Sequence, residues 1–475
     1  MPGATAPPPA DSPWWPVTAA PATARTLDGL LAAAQASSRL PSVVAGIVRD
    51  GELVWSGARG RVDGERPRPE TQYRIGSITK TFVAAGVLKA HEDGLVGLDD
   101  RVDDHLPELG GSIGHLTVGQ LLGQASGLQA ETDGPWWERT AGGDWSQLAA
   151  SLSPASQRHR AGVRFHYSNV GYGVLGELLG RLRASTWHEV VAQQFLAPLG
   201  MTRTTLRPDG PHAPGLAVHP WADVVLPEPE HDGGAMAPAG QLWSTVADLA
   251  RWAGVVAGRS DVLRRATVQA MRQPQVVDDT RGAAWAAGYG LGLQLWNDGG
   301  RRRAGHSGSM PGFVAMLRVD VETSDAVVAM TNSTTGFGDL PGRLLTAYAE
   351  AEPKPPAEWA PREVAADVLE LVGPWYWGPT PLVVRAAGEG LELSGLGGRA
   401  RGSRFVRTDG GWRGLDEYYA GEPLRVLRRD DGSVSHLDLA SFRLTRTPYD
   451  PDADVPGGVH PDGWGVPGQG RTLAQ

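Results

Sequence analysis

Two groups of β-strand patterns, separated by a long region of helical pattern, constrain the fold of this chain most. Apolar residues on both sides of Asp50-Gly51 predict a hairpin over 43–55. Strand patterns return over 289–296, 312–319 and 326–332. The region between them predicts helices that include 77–90, 116–122, 174–183, 187–195 and 246–257. An antiparallel sheet interrupted by a long helical insertion is an α+β fold.

A proline-rich break over 352–356 indicates where this first domain ends. Beyond it, eight short alternating runs are separated by Gly and Asp-Gly turns, and this spacing predicts a small up-and-down antiparallel barrel. We therefore divide the chain into a disordered leader (1–24), the α+β domain (25–350), a linker (351–364), the barrel domain (365–449) and an extended C-terminal tail (450–475).

Charge and composition exclude several kinds of partner. The formal net charge is −9 and there is no basic stripe, so we expect no binding to nucleic acid or to an anionic membrane surface. No apolar run approaches the roughly 20 residues of a membrane span. Residues 1–24 are rich in proline and hold no basic residue, unlike a secretory signal, and we expect a cytoplasmic protein. The oligomeric state is left open.

Ser77 lies three residues before Lys80, which is one of only three lysines in a chain with 44 basic residues. The residues that follow, 81–90, have a helical pattern, so the hydroxyl and the amine should share one helical face. A buried lysine can lose its proton and act as a base, whereas an arginine stays charged. The pair is a candidate nucleophile and base. For an isolated S-x-x-K the commoner interpretation is a serine cap with a solvated lysine.

A second motif, Tyr167-Ser168-Asn169, closes an alternating run over 163–167 just before the helical pattern at 174. The phenol could shuttle a proton once a neighbouring cation lowers its pKa, and the amide could donate to a substrate carbonyl. A capped strand end is the structural alternative. We interpret the motif as the possible partner of the Ser77 and Lys80 pair.

A third motif, His306-Ser307-Gly308-Ser309, stands at the start of the strand pattern over 312–319. Gly308 would let a substrate approach the strand edge closely. The backbone amide of Ser309 could pair with that of Ser77 as two donors to an oxyanion. Out of context, His306 would more often be structural.

Tryptophans give a weaker signal. The chain holds 17, and Trp136, Trp137 and Trp145 cluster in one loop. They would either form an aromatic wall over a cleft or pin their own loop. We expect no cofactor, because the G-x-G-x-x-G pattern over 171–176 lacks a βαβ context. We also expect no metal, because the histidines show no paired ligand spacing and the chain has no cysteine.

The three motifs, in this order, resemble the serine β-lactamase and penicillin-binding protein family, in particular its class C and esterase branch. The similarity extends to flanking segments at 73–76, 121–128, 198–201, 240–245 and 305–312, and it covers about residues 28–350. This resemblance implies a β-lactamase/transpeptidase-like fold for the α+β domain. The barrel that follows is similar to lipocalin-like domains found after such catalytic domains.

The resemblance also implies roles for single residues. Ser77 would be the acylated nucleophile, and Lys80 and Tyr167 would transfer protons. His306 stands where many relatives that open β-lactams carry a lysine to grip a carboxylate, which weakens the case for penicillin-like substrates. The candidate catalytic residues are Ser77, Lys80, Tyr167 and His306. The candidate substrate-binding residues are Asn169, Ser307, Gly308, Ser309, Trp136 and Trp137.

The implied activity is that of a serine hydrolase acting on an ester, an amide, or a D-amino acid or peptide substrate through an acyl-enzyme on Ser77. Penicillin-binding-protein-type thioesterases that cyclise peptides suggest a second hypothesis, transfer of the acyl group to a peptide's own amine. A third is a non-catalytic binding or sensor protein, although such a protein would not need all four catalytic side chains. The expected partner is a small molecule or a peptide.

Overall fold

The computed structural model describes residues 18–356, 358–397 and 401–448. The chain divides between Pro355 and Pro356 into two compact units. The first helix begins at Pro21, so residues 21–24, which the sequence assigned to the leader, are helical. Most of the predicted leader and all of the predicted tail lie outside the described residues. The division into five segments otherwise stays a prediction.

The helices of the first unit are mostly short, and several begin at a Ser, Thr or Asp whose side chain accepts a hydrogen bond from a backbone amide of the first turn. They are α1 (Pro21–Ser37), α2 (Thr79–Glu92), α3 (Val102–His105), α4 (Val118–Leu122), α5 (Trp145–Ser151), α6 (Asn169–Arg183), α7 (Trp187–Val191), α8 (Val246–Val256), α9 (Arg265–Met271) and α10 (Leu340–Ala351). Five of them match predicted helical segments.

The strands of the first unit are β1 (Ser42–Arg49), β2 (Glu52–Gly60), β3 (Tyr73–Arg74), β4 (Leu216–Val218), β5 (Val225–Pro227), β6 (Trp243–Ser244), β7 (Val276–Val277), β8 (Ala287–Tyr289), β9 (Gln294–Asp298), β10 (Arg301–Met310), β11 (Phe313–Asp320) and β12 (Ala326–Thr331). Within the described ranges, eight of them form one sheet in the order β2-β1-β12-β11-β10-β9-β8-β7. Its strand pairs are antiparallel, and helices α2 to α9 lie between β2 and β8 in the chain. The predicted α+β fold is confirmed.

The large sheet is covered on both faces. Along β1, Val43 and Ile47 pack in a core with residues of α1 and α10, whereas Val44 and Val48 pack in the larger core with residues of α8. Because neighbouring residues of a strand point to opposite faces, a strand covered twice is mostly apolar, and its buried polar residues, here Ser42 and Arg49, need hydrogen-bond partners such as Asn332 and Asp325. This explains why all eight residues of β1 are buried.

Two predictions about local structure were wrong. Helix α6 begins at Asn169 instead of near 174, capped by the Ser168 hydroxyl, and the capped strand end that stood as the alternative for the second motif is not formed, because 163–167 is not a strand. The His306 motif does not begin the strand β11 but lies within a strand of its own, β10, which pairs with both β9 and β11. Its arginines and glycines weaken the strand pattern, so pairing with neighbours far along the chain, not local propensity, determines this strand.

The second unit is a barrel of eight strands among the described residues. After a short helix, α11 (Ala366–Leu369), come β13 (Gly373–Trp377), β14 (Thr380–Ala387), β15 (Gly390–Gly395), β16 (Ser403–Thr408), β17 (Gly411–Gly414), β18 (Pro423–Arg428), β19 (Val434–Leu439) and β20 (Phe442–Leu444). Each strand pairs antiparallel with the next.

The barrel is nearly closed, because its first and last strands meet. Tyr376 in β13 and Thr445, the residue after β20, exchange two backbone hydrogen bonds of 2.8 and 2.9 Å. Side chains that include Trp375, Phe405 and Leu437 fill its interior, as the width of an eight-stranded barrel permits. This confirms the predicted antiparallel barrel. No helix in the described parts of the chain has both the length and the apolar composition of a membrane span.

Candidate active site

Ser77 and Lys80 lie together at the start of helix α2. Gly76–Ile78 form a turn of 3-10 helix that continues into α2, so the serine precedes the lysine by about one helical turn. Lys80 Nζ donates to Ser77 Oγ at 2.8 Å and to the carbonyl oxygen of Ala239 at 2.6 Å. Lys80 is fully buried, whereas Ser77 is partly exposed. The hydroxyl is therefore accessible and the amine is enclosed behind it.

Burial changes the acid-base behaviour of Lys80. It lowers the pKa of the amine from 10.5 to about 7, and the carboxylates of Glu131 and Glu138 act in the opposite direction. The aromatic rings of Tyr167 and Tyr172 lie 5.0 and 5.6 Å from Nζ, a range at which they can stabilise the protonated form. Near neutral pH a substantial fraction of Lys80 is uncharged and could accept a proton from Ser77.

Tyr167 approaches the same serine from the loop before α6. Its hydroxyl is hydrogen-bonded to Ser77, but burial raises the pKa of the phenol well above 10. The sequence-based expectation of a lowered pKa is therefore wrong, because loss of solvent around the ring outweighs the hydrogen bond to Ser77. The phenol stays protonated and can donate.

Asn169, the first residue of α6, lies beside the loop between α4 and α5. Its Nδ2 donates to Glu131 Oε1 at 2.6 Å. The side chain is only 7% exposed, and its Oδ1 has no hydrogen-bond partner among the described residues. The free atom of this amide is thus an acceptor, whereas the motif predicted a donor to a substrate carbonyl.

Strand β10 passes very close to the turn that carries Ser77. A Cβ atom at Gly308 would lie 1.8 Å from the carbonyl oxygen of Ile75, and one at Gly76 would lie 2.5 Å from the amide nitrogen of Ser309. Only glycine fits at both positions. The strand and the turn therefore lie side by side, as an oxyanion site between the amides of Ser77 and Ser309 would require.

Ser307 serves as an anchor for β10. Its amide and its hydroxyl both donate to Gln294 Oε1 on β9, at 2.9 and 3.0 Å. The neighbouring Ser309 side chain is exposed. Of the two serines, Ser309 is therefore better placed to meet a substrate.

His306 lies behind Tyr167 and not in the open cleft. Its ring centroid is 6.2 Å from that of Tyr167, and the residue is fully buried. Nδ1 donates to the carbonyl oxygen of Ser307 at 2.5 Å, and Nε2 accepts from the hydroxyl of Tyr289 at 3.0 Å. Burial and the nearby charge of Lys80 lower the pKa of His306 to about 3. The imidazole is thus neutral, and both of its nitrogens are engaged within the protein.

The three tryptophans of the predicted wall differ. Trp137 is buried in the core and donates to Glu131 Oε2 at 2.8 Å. Its ring lies near the turn that carries Ser77, because a Cβ atom at Gly240 would be 3.6 Å from Trp137 and also 3.6 Å from Gly76. Trp136 is 58% exposed and donates to Glu138 Oε2 at 2.9 Å. Trp145 donates outside this cluster, to Glu108. Trp137 thus pins the loop near the serine, as the structural alternative predicted.

Several residues of the site were missed by the sequence reasoning. Glu131 and Glu138 lie on either side of the Trp136 and Trp137 pair, and their spacing in the loop was the available signal. Tyr289 and Gln294 contact the His306 motif, but no local pattern marks them. Among the described residues, no group of three or more His, Asp or Glu side chains is gathered as metal ligands would be.

The comparisons with known proteins agree with this architecture. The Beta-lactamase family profile matches residues 27–350, and the profile of the Domain of unknown function (DUF7586) matches residues 364–446. The lipocalin-like character of the barrel stays a prediction.

Two curated relatives are similar to the chain. Protein flp of Staphylococcus aureus (strain MRSA252) is 22% identical over 301 residues, which are 61% of this chain and 59% of flp, so the match spans less than two thirds of that relative. Penicillin-binding protein 4 of Amycolatopsis lactamdurans is 26% identical over 355 residues, covering 69% of this chain and 91% of the relative.

The fold is also similar to that of a D-amino acid amidase from Ochrobactrum anthropi SV3, solved in complex with D-phenylalanine. The TM-score is 0.58 at 22% identity, with 70% of this chain and all of the amidase covered. A likeness at this identity shows the fold. Since the family match covers well over half of the chain and the three motifs meet around Ser77, the chain belongs to the Beta-lactamase family, whose members are serine hydrolases.

Proposed function

We propose that this protein is a serine hydrolase that cleaves an ester or amide through an acyl-enzyme on Ser77. The observation that supports this best is the 2.8 Å contact between Ser77 Oγ and the buried amine of Lys80, whose pKa is about 7. A serine hydroxyl is a weak nucleophile unless a base lies within hydrogen-bond distance. Lys80 in its neutral form is such a base.

The proposed reaction has two steps. In the first, Lys80 Nζ accepts the hydroxyl proton while Ser77 Oγ bonds to the substrate carbonyl carbon, and the amides of Ser77 and Ser309 stabilise the oxyanion. The bond to the leaving group then breaks, and Tyr167 donates its proton to that group. Tyr167 recovers the proton from Lys80. In the second step the oxygen of a water molecule bonds to the acyl carbon while the same pair accepts a proton from the water. The bond between the acyl carbon and Ser77 Oγ then breaks, Oγ takes the proton back from the pair, and the acid leaves.

The proposed substrates are esters, amides, and amino acid or peptide derivatives. The D-amino acid amidase with a similar fold supports the inclusion of D-amino acid derivatives. Penicillins are less favoured, because the neutral His306 offers no positive charge to a carboxylate.

Transfer of the acyl group to an amine of the same peptide is the second candidate function. The eight-stranded barrel that follows the catalytic domain favours it, since the resemblance noted above includes cyclising thioesterases. The two outcomes differ in the product of a peptidyl thioester: cyclisation gives a mass 18 Da below that of the hydrolysed peptide, a difference of one water molecule.

Labelling with a fluorophosphonate tests the proposed nucleophile. We expect a covalent adduct on Ser77, loss of the adduct and of ester turnover in Ser77→Ala, and an unchanged melting temperature. Ser151→Ala, at a serine on the surface of α5, is the matched control and should label normally. Full turnover by folded Ser77→Ala would disprove the proposal. A wild-type protein that neither labels nor turns over any ester would instead support the sensor hypothesis.

A further inference from the structure

Two carboxylates lie close to the proposed catalytic lysine without being part of the proposed mechanism. Both Glu131 and Glu138 come from the loop between α4 and α5, and the charges of both act on Lys80. Each carboxylate is held in place: Glu131 accepts from Asn169 and Trp137, and Glu138 accepts from Trp136. The loop thus fixes two carboxylates near Lys80.

Neither carboxylate forms a direct ion pair with a basic side chain among the described residues. Among the described residues, no lysine or arginine nitrogen lies within 4 Å of Glu131 or Glu138, whereas nearby Glu228 pairs with Arg139 at 2.6 Å. Arg74 acts on Glu138 electrostatically, but its guanidinium donates to Gln241 and to the carbonyl of His231. Burial raises the pKa of Glu138, and the charge of Glu131 adds to this effect. Lys80 and Arg74 act on Glu138 only through their charge, so among the described residues the two carboxylates have no ion-pair partner within 4 Å.

A third acceptor lies next to them. Asn169 donates through Nδ2 to Glu131, so its orientation is fixed, because the flipped amide would place Oδ1 against a carboxylate. Oδ1 is therefore left without a partner in a side chain that is only 7% exposed. A buried acceptor without a donor is destabilising, and such a group beside two carboxylates points to a missing donor.

We propose that Glu131, Glu138 and Oδ1 of Asn169 bind an ammonium group of the substrate. The preferred acyl donors are then amino acid amides or esters, or peptides, that carry a free amine close to the scissile carbonyl. An ammonium group has three N–H donors and no acceptor, and these three groups of the protein offer acceptors and no donor. This inference rests on the proposed function for the place of the scissile bond, and it specifies the substrate class.

Binding of an ammonium group would also affect the base. In the free protein the two carboxylates favour the protonated form of Lys80. A substrate cation between them and Lys80 offsets their charge, so it favours the neutral amine that accepts the Ser77 proton. Recognition of the substrate and activation of the nucleophile are coupled in this way.

Binding measurements on the Ser77→Ala protein test the inference without any turnover. Calorimetry at about pH 6.5 compares the D- and L-forms of phenylalaninamide, mostly charged there, with their N-acetyl derivatives, which have no ammonium group. We expect a Kd at least about 10-fold lower for one charged enantiomer than for its acetylated form, the scale of charge-assisted hydrogen bonds. Adding Glu131→Gln or Glu138→Gln should reduce this ratio to under about 3-fold.

Asp133→Asn is the matched control, because Asp133 lies on the same loop and its side chain is 71% exposed. It should keep the full ratio. Equal binding of charged and acetylated amides, no binding of either, or a ratio that survives both glutamine substitutions would overturn the ammonium site. Fluorophosphonate labelling of the wild type is independent of this result, so failure of the hydrolase proposal and failure of the ammonium site can be told apart.

Discussion

Gly308→Ala is the sharpest test of the way in which the site is built. Strand β10 runs so close to the turn before Ser77 that the new Cβ would lie 1.8 Å from the carbonyl oxygen of Ile75, 2.8 Å from its carbonyl carbon and 3.1 Å from the amide nitrogen of Ser77. All three atoms belong to the backbone and cannot rotate away. Since carbon and oxygen atoms do not approach within about 3 Å, the strand and the turn must separate by about 1 Å or more.

This separation would act directly on the proposed oxyanion site, because its two amides come from the two segments that are forced apart. A misplacement of about 1 Å costs roughly 100-fold in rate, and loss of one oxyanion donor costs a similar factor. We therefore expect the acylation rate of Gly308→Ala to fall at least about 100-fold, equivalent to about 2.7 kcal/mol in the activation free energy.

The assay is the rate of fluorophosphonate labelling of Ser77, measured beside the thermal unfolding of the same protein. Gly29→Ala is the control, because a Cβ at Gly29 in α1 would meet nothing within 4 Å. It should label at the wild-type rate and be up to about 1 kcal/mol more stable, as expected for alanine in a helix. Labelling of folded Gly308→Ala at the wild-type rate would refute the reasoning.

Three further predictions concern the pKa of Lys80, the charge of His306 and the buried ion pair of Arg49 with Asp325. Because the pKa of Lys80 is about 7, kcat/KM should rise with pH through that value. Lys80→Arg keeps the charge but cannot act as a base, so it should remove this rise and lower kcat at least about 100-fold. Near-normal acylation by the arginine variant would assign the base elsewhere. Because His306 is neutral, p-nitrophenyl acetate should show a higher kcat/KM than benzylpenicillin, and the reverse order would contradict the substrate argument. Asp325→Ala leaves the guanidinium of Arg49 buried without its two 3.1 Å bonds, so urea denaturation should show a loss of about 3–5 kcal/mol in the free energy of unfolding. The control is Glu65→Ala, which removes the exposed ion pair of Glu65 with Arg68; it should change the free energy of unfolding by less than about 1 kcal/mol.

The sequence alone determined most of the order of the elements and the candidate nucleophile. Hairpin turns, helical periodicity and the eight alternating runs of the barrel are local patterns, and local patterns persist in the fold because the backbone has few regular conformations. The spacing of Ser77 and Lys80 is local in the same sense. One turn of helix places the two side chains together whatever surrounds them.

Features that depend on distant parts of the chain were predicted less well. The sequence missed β10 as a separate strand and placed the start of α6 about five residues late, because strand pairing and the Ser168 cap decided both. It also gave Tyr167 a lowered pKa, although burial raises it. His306 was expected near the substrate and lies enclosed between Tyr289 and its own strand.

Only the tertiary structure decided how the site can work. The pKa of Lys80 depends on burial and on the carboxylates of Glu131 and Glu138, and its amine donates to a carbonyl oxygen 159 residues away, at Ala239. The carboxylate of Glu131 meets Asn169 across 38 residues, and Gly308 meets Ile75 across a still longer separation. Desolvation, charge and close backbone approach all depend on distances in space. A sequence pattern predicts such distances only between residues that lie within a few positions of each other in the chain. The sequence therefore identified the candidate reacting groups, and the packing of the domain set their acidity and their neighbours.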